Sequence, residues 1–201
     1  MKIDMHVHSM YSHDSRMKPE EAINRGIELG LDGICFTEHH SYLNSGLIEG
    51  IDSKNIKVFR GAEIATDIGH ILVYGVEDDS WNFWEGIEGS FMEAQKVIDA
   101  VNGIGGVCIL AHPFRKDPNV DSISKLNGLV ALEVFNGKNS EEEIEKTKEL
   151  YKKMGLNFIG GSDAHRKEFI GNCYTVFENN IGSMEKLVKE LKEGYYYGRI
   201  C

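Results

Sequence analysis

Apolar positions along the chain follow two spacings in turn, one typical of strands and one typical of helices. Near the amino end, Ile3, Met5 and Val7 recur at every second residue, which predicts a strand. Residues 19–31 then have the spacing of an amphipathic helix, with Pro19 at its first position. Proline is well tolerated there because the first turn of a helix needs no N–H donor.

Strand-like and helix-like segments continue to alternate along the rest of the chain. Further strands are predicted at residues 32–39, 57–64, 69–76, 106–113, 129–136, 156–165 and 174–177. Further helices are predicted at residues 91–105, 140–155 and 183–194. This alternation is typical of βαβ units and a largely parallel sheet, either open or closed into a barrel.

No linker or internal repeat interrupts the pattern, so we expect a single domain over residues 1–201. Both tryptophans lie in the irregular stretch 77–89. We interpret this stretch as a surface loop anchored by its aromatic side chains, and the alternative is a lid over a pocket. The GYYYGRIC tail is expected to pack within the chain, while the oligomeric state stays open.

Composition narrows the class of protein. The chain has 201 residues, of which 41% are hydrophobic and 27% charged, as in ordinary globular proteins. Its net charge of −10 disfavours nucleic-acid binding through a basic face. No apolar run is long enough to span a membrane and no signal peptide is evident. Cys35 and Cys108 lie in strand-like apolar segments, which predicts that both are buried free thiols. Free thiols fit a reducing compartment, so we expect a cytoplasmic protein.

Eight histidines are unevenly distributed in this acidic chain. Most of them, with several carboxylates, stand at or beside the carboxyl ends of predicted strands: His6, His8, Asp14, Glu38, His39, His40, Glu63, His112, Asp163 and His165. In an α/β barrel these ends share the face where active sites are built. His70 instead begins its strand, so that strand is predicted to run in the opposite direction.

The conjunction of these side chains points to metal. An H-x-H pair places His6 and His8 on one face of a strand. A cluster of six histidines and three carboxylates would leave costly unpaired polar groups unless ions satisfied them. Imidazole and carboxylate ligands suit zinc, manganese or iron. Because one ion takes three or four protein ligands, nine candidates imply two or three ions.

Six segments, taken in order, resemble the motifs of the PHP (polymerase and histidinol phosphatase) metallohydrolases: HVHSMYSHDS, FTEHH, GAEI, GHILVYG, LAHPFR and GSDAH. The resemblance runs from His6 to His165, which is most of the chain. It implies an α/β fold, namely a distorted seven-stranded (β/α)7 TIM-like barrel. It also implies three divalent metal ions (zinc, manganese or iron) at the carboxyl ends of the strands.

The resemblance assigns ligands by motif. The first ion would be bound by His6, His8, Asp163 and a bridging Glu63. The second would be bound by Glu63, His70 and His112, and the third by Asp14, His39 and His165. Asp14 is favoured because YSHDS aligns with the family's YSSDG form, and His13 is the alternative ligand. His40 receives no role.

The implied activity is hydrolysis of a small phosphomonoester by a metal-bridged hydroxide. Asp14 or His165 would protonate the leaving alcohol. Arg115 would clasp a phosphate oxygen, with an ordinary arginine–acid pair as the equally weighted alternative. Asn136 would touch the substrate or form an Asn-Gly turn, and Lys138 is unassigned. Histidinol phosphate, a nucleotide and a sugar phosphate are all compatible substrates, and phosphotyrosine is a further family option.

Two other functions remain open. One is a non-catalytic, metal-stabilised PHP module, which loss of ligands would signal, although every motif position here holds a metal-competent residue. The other is a C–N bond hydrolase of amidohydrolase-like architecture, a group that also begins with H-x-H. Such enzymes normally use a lysine as bridging ligand, whereas this chain offers Glu63, which favours phosphoester chemistry.

Overall fold

The computed structural model describes residues 1–51, 53, 55–83, 91–115 and 119–201. Within these ranges, nine strands form one sheet in the order β7-β6-β5-β4-β3-β2-β1-β8-β9. The strands are β1 (Lys2–Val7), β2 (Gly33–His39), β3 (Lys57–Ala65), β4 (His70–Tyr74), β5 (Val107–Ala111), β6 (Leu129–Asn136), β7 (Asn157–Gly161), β8 (Cys173–Phe177) and β9 (Tyr196–Ile200).

Helices connect most of the strands. They are α1 (Pro19–Glu28), α2 (Ala94–Gly103), α3 (Val120–Ile123), α4 (Glu141–Met154) and α5 (Met184–Glu193), with 3₁₀ helices at Leu43–Gly50 and Lys167–Phe169. Local chemistry sets the helix ends. Ser140 caps α4 by accepting the Glu143 N–H at 3.3 Å, and Gly155 ends it with φ of 66°. The four long helices match their predicted segments to within a few residues, whereas α3 and the 3₁₀ helices were not predicted.

The strands curve into a nearly closed barrel. The chain beyond β7 returns to β1, where Asp163 N donates to His6 O at 2.7 Å and His8 N donates to Ala164 O at 2.9 Å. The predicted TIM-like α/β barrel is confirmed. The predicted strand count of seven is wrong, because the described chain has nine. The carboxyl-terminal tail, for which the sequence pattern predicts no strand, forms β9, which pairs with β8 along the edge of the sheet.

Two strands, β4 and β8, run antiparallel to both of their neighbours, and β4 carries a candidate ligand. β4 pairs antiparallel with both β3 and β5, while β1, β2 and β3 pair parallel in sequence. A short turn joins β3 directly to β4, so no helix separates them. His70 at the start of β4 lies opposite Ala65 and Ala111, at the carboxyl ends of the two flanking strands. The reversed direction predicted from His70 is therefore confirmed.

A bulge in β1 decides which side chains enter the barrel. Ile3 and Met5 pack in the cluster that fills the barrel interior, whereas Val7 packs outside against α1. The register with β2 shifts between Asp4 and Val7, so one extra residue is accommodated there. After the bulge the even positions face inward. His6 therefore lies above the apolar interior, at the mouth of the barrel.

Part of the irregular stretch 77–89 is anchored as predicted. Trp81 is buried in the outer core and its Nε1 donates to Asp78 O at 2.5 Å. Residues 84–89 lie outside the described residues. Cys35 and Cys108 are buried free thiols, as predicted. Across the described ranges, no helix is long and apolar enough to cross a membrane.

The contact between β9 and β7 is close enough to require glycine. A Cβ on Gly198 would lie 2.4 Å from the carbonyl carbon of Ile159. Gly198→Ala should therefore lower the free energy of unfolding by about 1–3 kcal/mol, because the backbones must separate. Gly103→Ala is the matched control, since nothing lies within 4 Å of its Cβ position. Urea denaturation of both variants measures the difference, and equal stabilities would contradict the close packing.

Candidate metal centre

The mouth of the barrel brings the predicted ligands together around one carboxylate. Glu63, in β3, is buried. Its Oε1 lies 2.8 Å from His70 Nδ1 and 2.9 Å from His112 Nε2. Its Oε2 lies 3.1 Å from His8 Nε2, 3.2 Å from His39 Nδ1 and 3.4 Å from His6 Nε2. Each oxygen thus faces its own group of imidazoles, as a carboxylate shared between two sites would.

The H-x-H pair converges as predicted. His6 Nε2 and His8 Nε2 are 3.0 Å apart. The other ring nitrogen of each has an outer partner, since His6 Nδ1 lies 2.9 Å from Glu133 Oε1 and His8 Nδ1 lies 3.1 Å from Ser12 Oγ. Such outer acceptors hold the proton on Nδ1 and leave Nε2 free as a ligand atom. The two Nε2 atoms also face carboxylates, an arrangement that suits a divalent cation.

Asp163 completes this group from the segment after β7, which borders β1. Its Oδ1 lies 3.6 Å from His8 Nε2 and 3.8 Å from His6 Nε2. Arg115 Nη1 donates to Oδ2 at 2.6 Å, and Lys138 Nζ donates to Oδ1 at 3.2 Å. Arg115 therefore forms the arginine–acid pair that was the alternative prediction, although the acid is itself a candidate ligand and both line the pocket.

The third predicted group lies nearer the solvent. Asp14 Oδ2 is 3.3 Å from His39 Nε2 and 3.0 Å from His165 Nε2. The His8 and His165 rings are also close, with centroids 4.4 Å apart. Asp14 therefore faces the predicted partners. The alternative ligand, His13, is exposed and its ring centroid lies 5.1 Å from that of His39.

The ionisation of the clustered histidines and carboxylates favours the binding of cations. Burial disfavours the charged form of His6, but the carboxylates of Glu133 and Glu63 outweigh it and raise the His6 pKa well above its ordinary value. Burial lowers the pKa of His8 to about 3, so that ring is neutral. Although burial disfavours ionised Glu63, His6 and His112 hold the Glu63 pKa well below its ordinary value. The buried carboxylates thus stay ionised and attract positive charge.

Three groups of ligand atoms satisfy the distance that a shared ion needs. Within each group, one ligand atom per residue lies within 4.8 Å of the others. Among the described residues, the groups are His6–His8–Asp163, Glu63–His70–His112 and His8–His39–His165. The first two fall within the predicted sets, and the third has His8 where the prediction has Asp14. These clusters of imidazole and carboxylate suit several divalent ions.

Backbone strain is concentrated at the same place. Among the described residues, three other than glycine have positive φ: His40 at 65°, His112 at 27° and Asp163 at 53°. All three follow or end a strand at the barrel mouth. Such backbone geometry costs about 1–3 kcal/mol per residue and is typical of functional sites. Sequence analysis gave His40 no role, and the strain at its position is what sets it apart.

Two buried carboxylates that support the cluster were missed as site residues. Glu133 accepts from the His6 ring, from His112 N at 3.1 Å and from Asn136 Nδ2 at 2.9 Å. A register shift in β6 between Glu133 and Phe135 lets Glu133 and Asn136 both face the site. Without the bulge, side chains three apart in a strand would point to opposite faces. The signal available in LEVFN was only an acid inside an apolar strand.

Glu38 is the second such carboxylate. It accepts from Ser9 Oγ at 2.6 Å and from Ser12 Oγ at 2.5 Å. Ser12 in turn contacts the outer nitrogen of His8. Both histidines of the H-x-H pair are therefore oriented by a buried acid, one directly and the other through a hydroxyl group. Glu38 was noted as part of TEHH but received no role.

Several known proteins resemble this chain in sequence or in fold. A family model described as PHP-associated matches residues 141–196. The solved structure of PsfC from Pseudomonas syringae PB-5123 superimposes over 100% of this chain and 91% of its own, with a TM-score of 0.75 and 18% identity. A two-domain protein of Bacteroides vulgatus, containing a predicted PHP-like metal-dependent phosphoesterase, covers 100% of this chain with the same TM-score. The chain has the PHP fold.

The resemblance to the PHP family read from six sequence motifs is thereby confirmed. Among curated proteins, a probable histidinol-phosphatase of Thermotoga maritima is 31% identical over 72 residues. That match covers 32% of this chain and 31% of the relative. The chain thus spans about a third of the relative's length. The comparisons establish the barrel fold, whereas any activity depends on the side chains that this chain places in the barrel.

The outer carboxylate provides a test of the cluster as a metal site. Both oxygens of Glu133 accept hydrogen bonds, and an amide can accept on only one. Glu133→Gln should therefore weaken binding of zinc by about 10–100-fold, measured by competition with a chromophoric chelator. Glu149→Gln, on the exposed face of α4, is the control. Equal zinc affinity in both variants would remove Glu133 from the site.

Proposed function

We propose that this chain is a metal-dependent phosphoesterase that hydrolyses a small phosphomonoester. The observation that carries the proposal is the shared carboxylate of Glu63, whose two oxygens face separate groups of imidazoles. Two cationic side chains, Arg115 and Lys138, line the same pocket. A centre for several divalent ions with cations beside it suits an anionic, oxygen-rich substrate.

The residues that would hold the ions are those assigned by motif. His6, His8 and Asp163 would form one site, and His70 and His112 a second, with Glu63 shared between them. Asp14, His39 and His165 would form the third. Divalent ions in such a centre polarise phosphoryl oxygens and supply a nucleophile from water at neutral pH.

Side chains at the third group support a role in protonating the leaving alcohol. His165 Nδ1 lies 3.0 Å from Lys138 Nζ, which can only donate, and 3.0 Å from Asp163 O, which can only accept. Its other ring nitrogen, Nε2, faces Asp14 Oδ2. Hydrogen bonding from His39 outweighs the partial burial of Asp14 and lowers its pKa, so this carboxylate acts as the acceptor. Of the two candidate proton donors, the contacts therefore favour His165.

The pocket limits the substrate. It has a volume of about 230 Å³ and is lined by six of the nine candidate ligands, by Arg115 and Lys138, and by His13, His40 and Ala65. A cavity of this size takes a phosphoryl group and a small part of the molecule that bears it. Histidinol phosphate, on which the Thermotoga maritima relative is named to act, a nucleotide and a sugar phosphate each satisfy this limit.

Activity is the direct test. Protein loaded with manganese or zinc should release phosphate from p-nitrophenyl phosphate and from at least one small phosphomonoester. Glu63→Gln should lower kcat/KM by about 10³-fold or more, because two groups of imidazoles lose their shared ligand. Glu149→Gln should leave it unchanged. If the metal-loaded protein hydrolyses no phosphoester, a non-catalytic module becomes the better description.

The third group can be tested with neighbouring residues. Asp14→Asn should lower kcat by about 100-fold, because the carboxylate of Asp14 faces the Nε2 atoms of both His39 and His165. The ring of His13, in contrast, only lies beside that of His39. His13→Asn should change kcat by less than about threefold. The two positions are adjacent, so the comparison separates contact with the site from general disturbance of the loop. A larger loss at His13 would reverse the assignment.

A further inference from the structure

We propose that Lys138 binds a phosphoryl oxygen of the substrate and makes the site favour phosphomonoesters over phosphodiesters. The proposal rests on the phosphoesterase function given above. It concerns a residue that neither the sequence motifs nor the resemblance assigned.

The backbone that carries Lys138 is tied down on two sides. Lys138 N donates to Asn136 Oδ1 at 2.9 Å, and Gly137 N donates to Gly161 O at 3.1 Å. A Cβ on Gly137 would lie 2.5 Å from Ser162 O. The turn therefore approaches the chain after β7 more closely than a side chain would permit. This contact fixes the base of Lys138 beside Asp163.

The ammonium group has a donor to spare. Lys138 Nζ lies 3.2 Å from Asp163 Oδ1 and 3.0 Å from His165 Nδ1. An ammonium group carries three N–H donors, so these contacts occupy at most two. The third has no protein partner in the described part of the chain, and the side chain is 43% exposed. Because Lys138 lines the pocket, an anion entering there can accept this hydrogen bond.

Arg115 differs from Lys138 because its guanidinium is held by several protein partners. Its Nη1 donates to Asp163 Oδ2, and its Nη2 donates to Asn136 Oδ1 at 2.6 Å and to Asn139 Oδ1 at 3.3 Å. These contacts fix the guanidinium in the pocket wall. Arg115 thus provides a fixed positive charge, whereas Lys138, a flexible chain with rotatable donors, can follow an incoming oxygen.

Selectivity follows from the charge and oxygen count of the two ester classes. A phosphomonoester is close to a dianion at neutral pH, since its second pKa is about 6, and it has three non-bridging oxygens. A phosphodiester is a monoanion with two. A cation with a free donor beside the ligand cluster therefore stabilises the monoester more. Removing that cation should cost monoester turnover more than diester turnover.

The test compares Lys138→Met, Lys138→Arg and the control Lys125→Met, which removes an exposed lysine near the amino end of β6. Calorimetry would measure binding of inorganic phosphate to each metal-loaded protein. Lys138→Met should weaken it by about 10–100-fold, as expected for a hydrogen bond between charged groups. Lys138→Arg should restore most of the affinity, and Lys125→Met should match the parent protein.

Kinetics supply the second measurement. With p-nitrophenyl phosphate, Lys138→Met should raise KM by about tenfold or more with a smaller change in kcat, because the contact is made in the ground state. With bis(p-nitrophenyl) phosphate, kcat/KM should change by less than about threefold. Equal losses on both esters would overturn the selectivity.

Metal content and thermal stability separate binding from structure. Both should be unchanged in Lys138→Met if Lys138 contacts the substrate. Loss of metal from this variant, or phosphate affinity equal to that of the parent, would overturn the proposal. If no ester is hydrolysed yet phosphate binding still falls in Lys138→Met, the phosphoesterase function fails and the Lys138 contact is supported.

Discussion

The structure depends on keeping a buried, ionised carboxylate in contact with imidazoles from several strands. Glu63 lies at the barrel mouth with five histidines within 3.4 Å of its oxygens. Desolvating such a group is costly unless its oxygens are well partnered. The strands that supply ligands must therefore end at the same level, and β4, whose first residue is His70, must run in reverse. The topology of the barrel and the geometry of the site therefore both require the ligand-bearing strand ends to lie at one level.

A layer of outer contacts makes this arrangement rigid. Glu133 orients His6, and Glu38 orients His8 through Ser12. Beneath them, buried Asp4 accepts from Ser162 N at 2.8 Å and from Gly171 N at 2.9 Å. Burial raises the pKa of Asp4 to about 6, against the opposing effect of these hydrogen bonds. Asp4 thus links β1 to the chain after β7, where the barrel closes and Asp163 is held.

Sequence patterns predicted this site well because its ligands stand at strand ends. His6, His112 and Asp163 each follow or end an apolar run, so parallel strands alone bring them to one face. Glu133 could not be found in this way, because an acid inside an apolar strand gives no sign that it faces the site. Asn136 shares its face only through a bulge, and bulges leave no periodic signal. β9 was missed for another reason. Its aromatic residues suit a strand, but only pairing with β8 and packing on β7 distinguish it from a tail.

The charge of the chain explains why the pocket needs both its cations and its ligand cluster. At −10 overall, the protein repels anions over most of its surface. Three of these negative charges, the buried carboxylates of Glu63, Asp163 and Glu133, lie at the barrel mouth, so the bare cluster is itself unfavourable for a phosphate. Arg115 and Lys138 offset only part of that charge, and both are bound to Asp163. An anion is therefore attracted strongly only where divalent ions neutralise the carboxylates, which confines phosphate binding to this one face of the barrel.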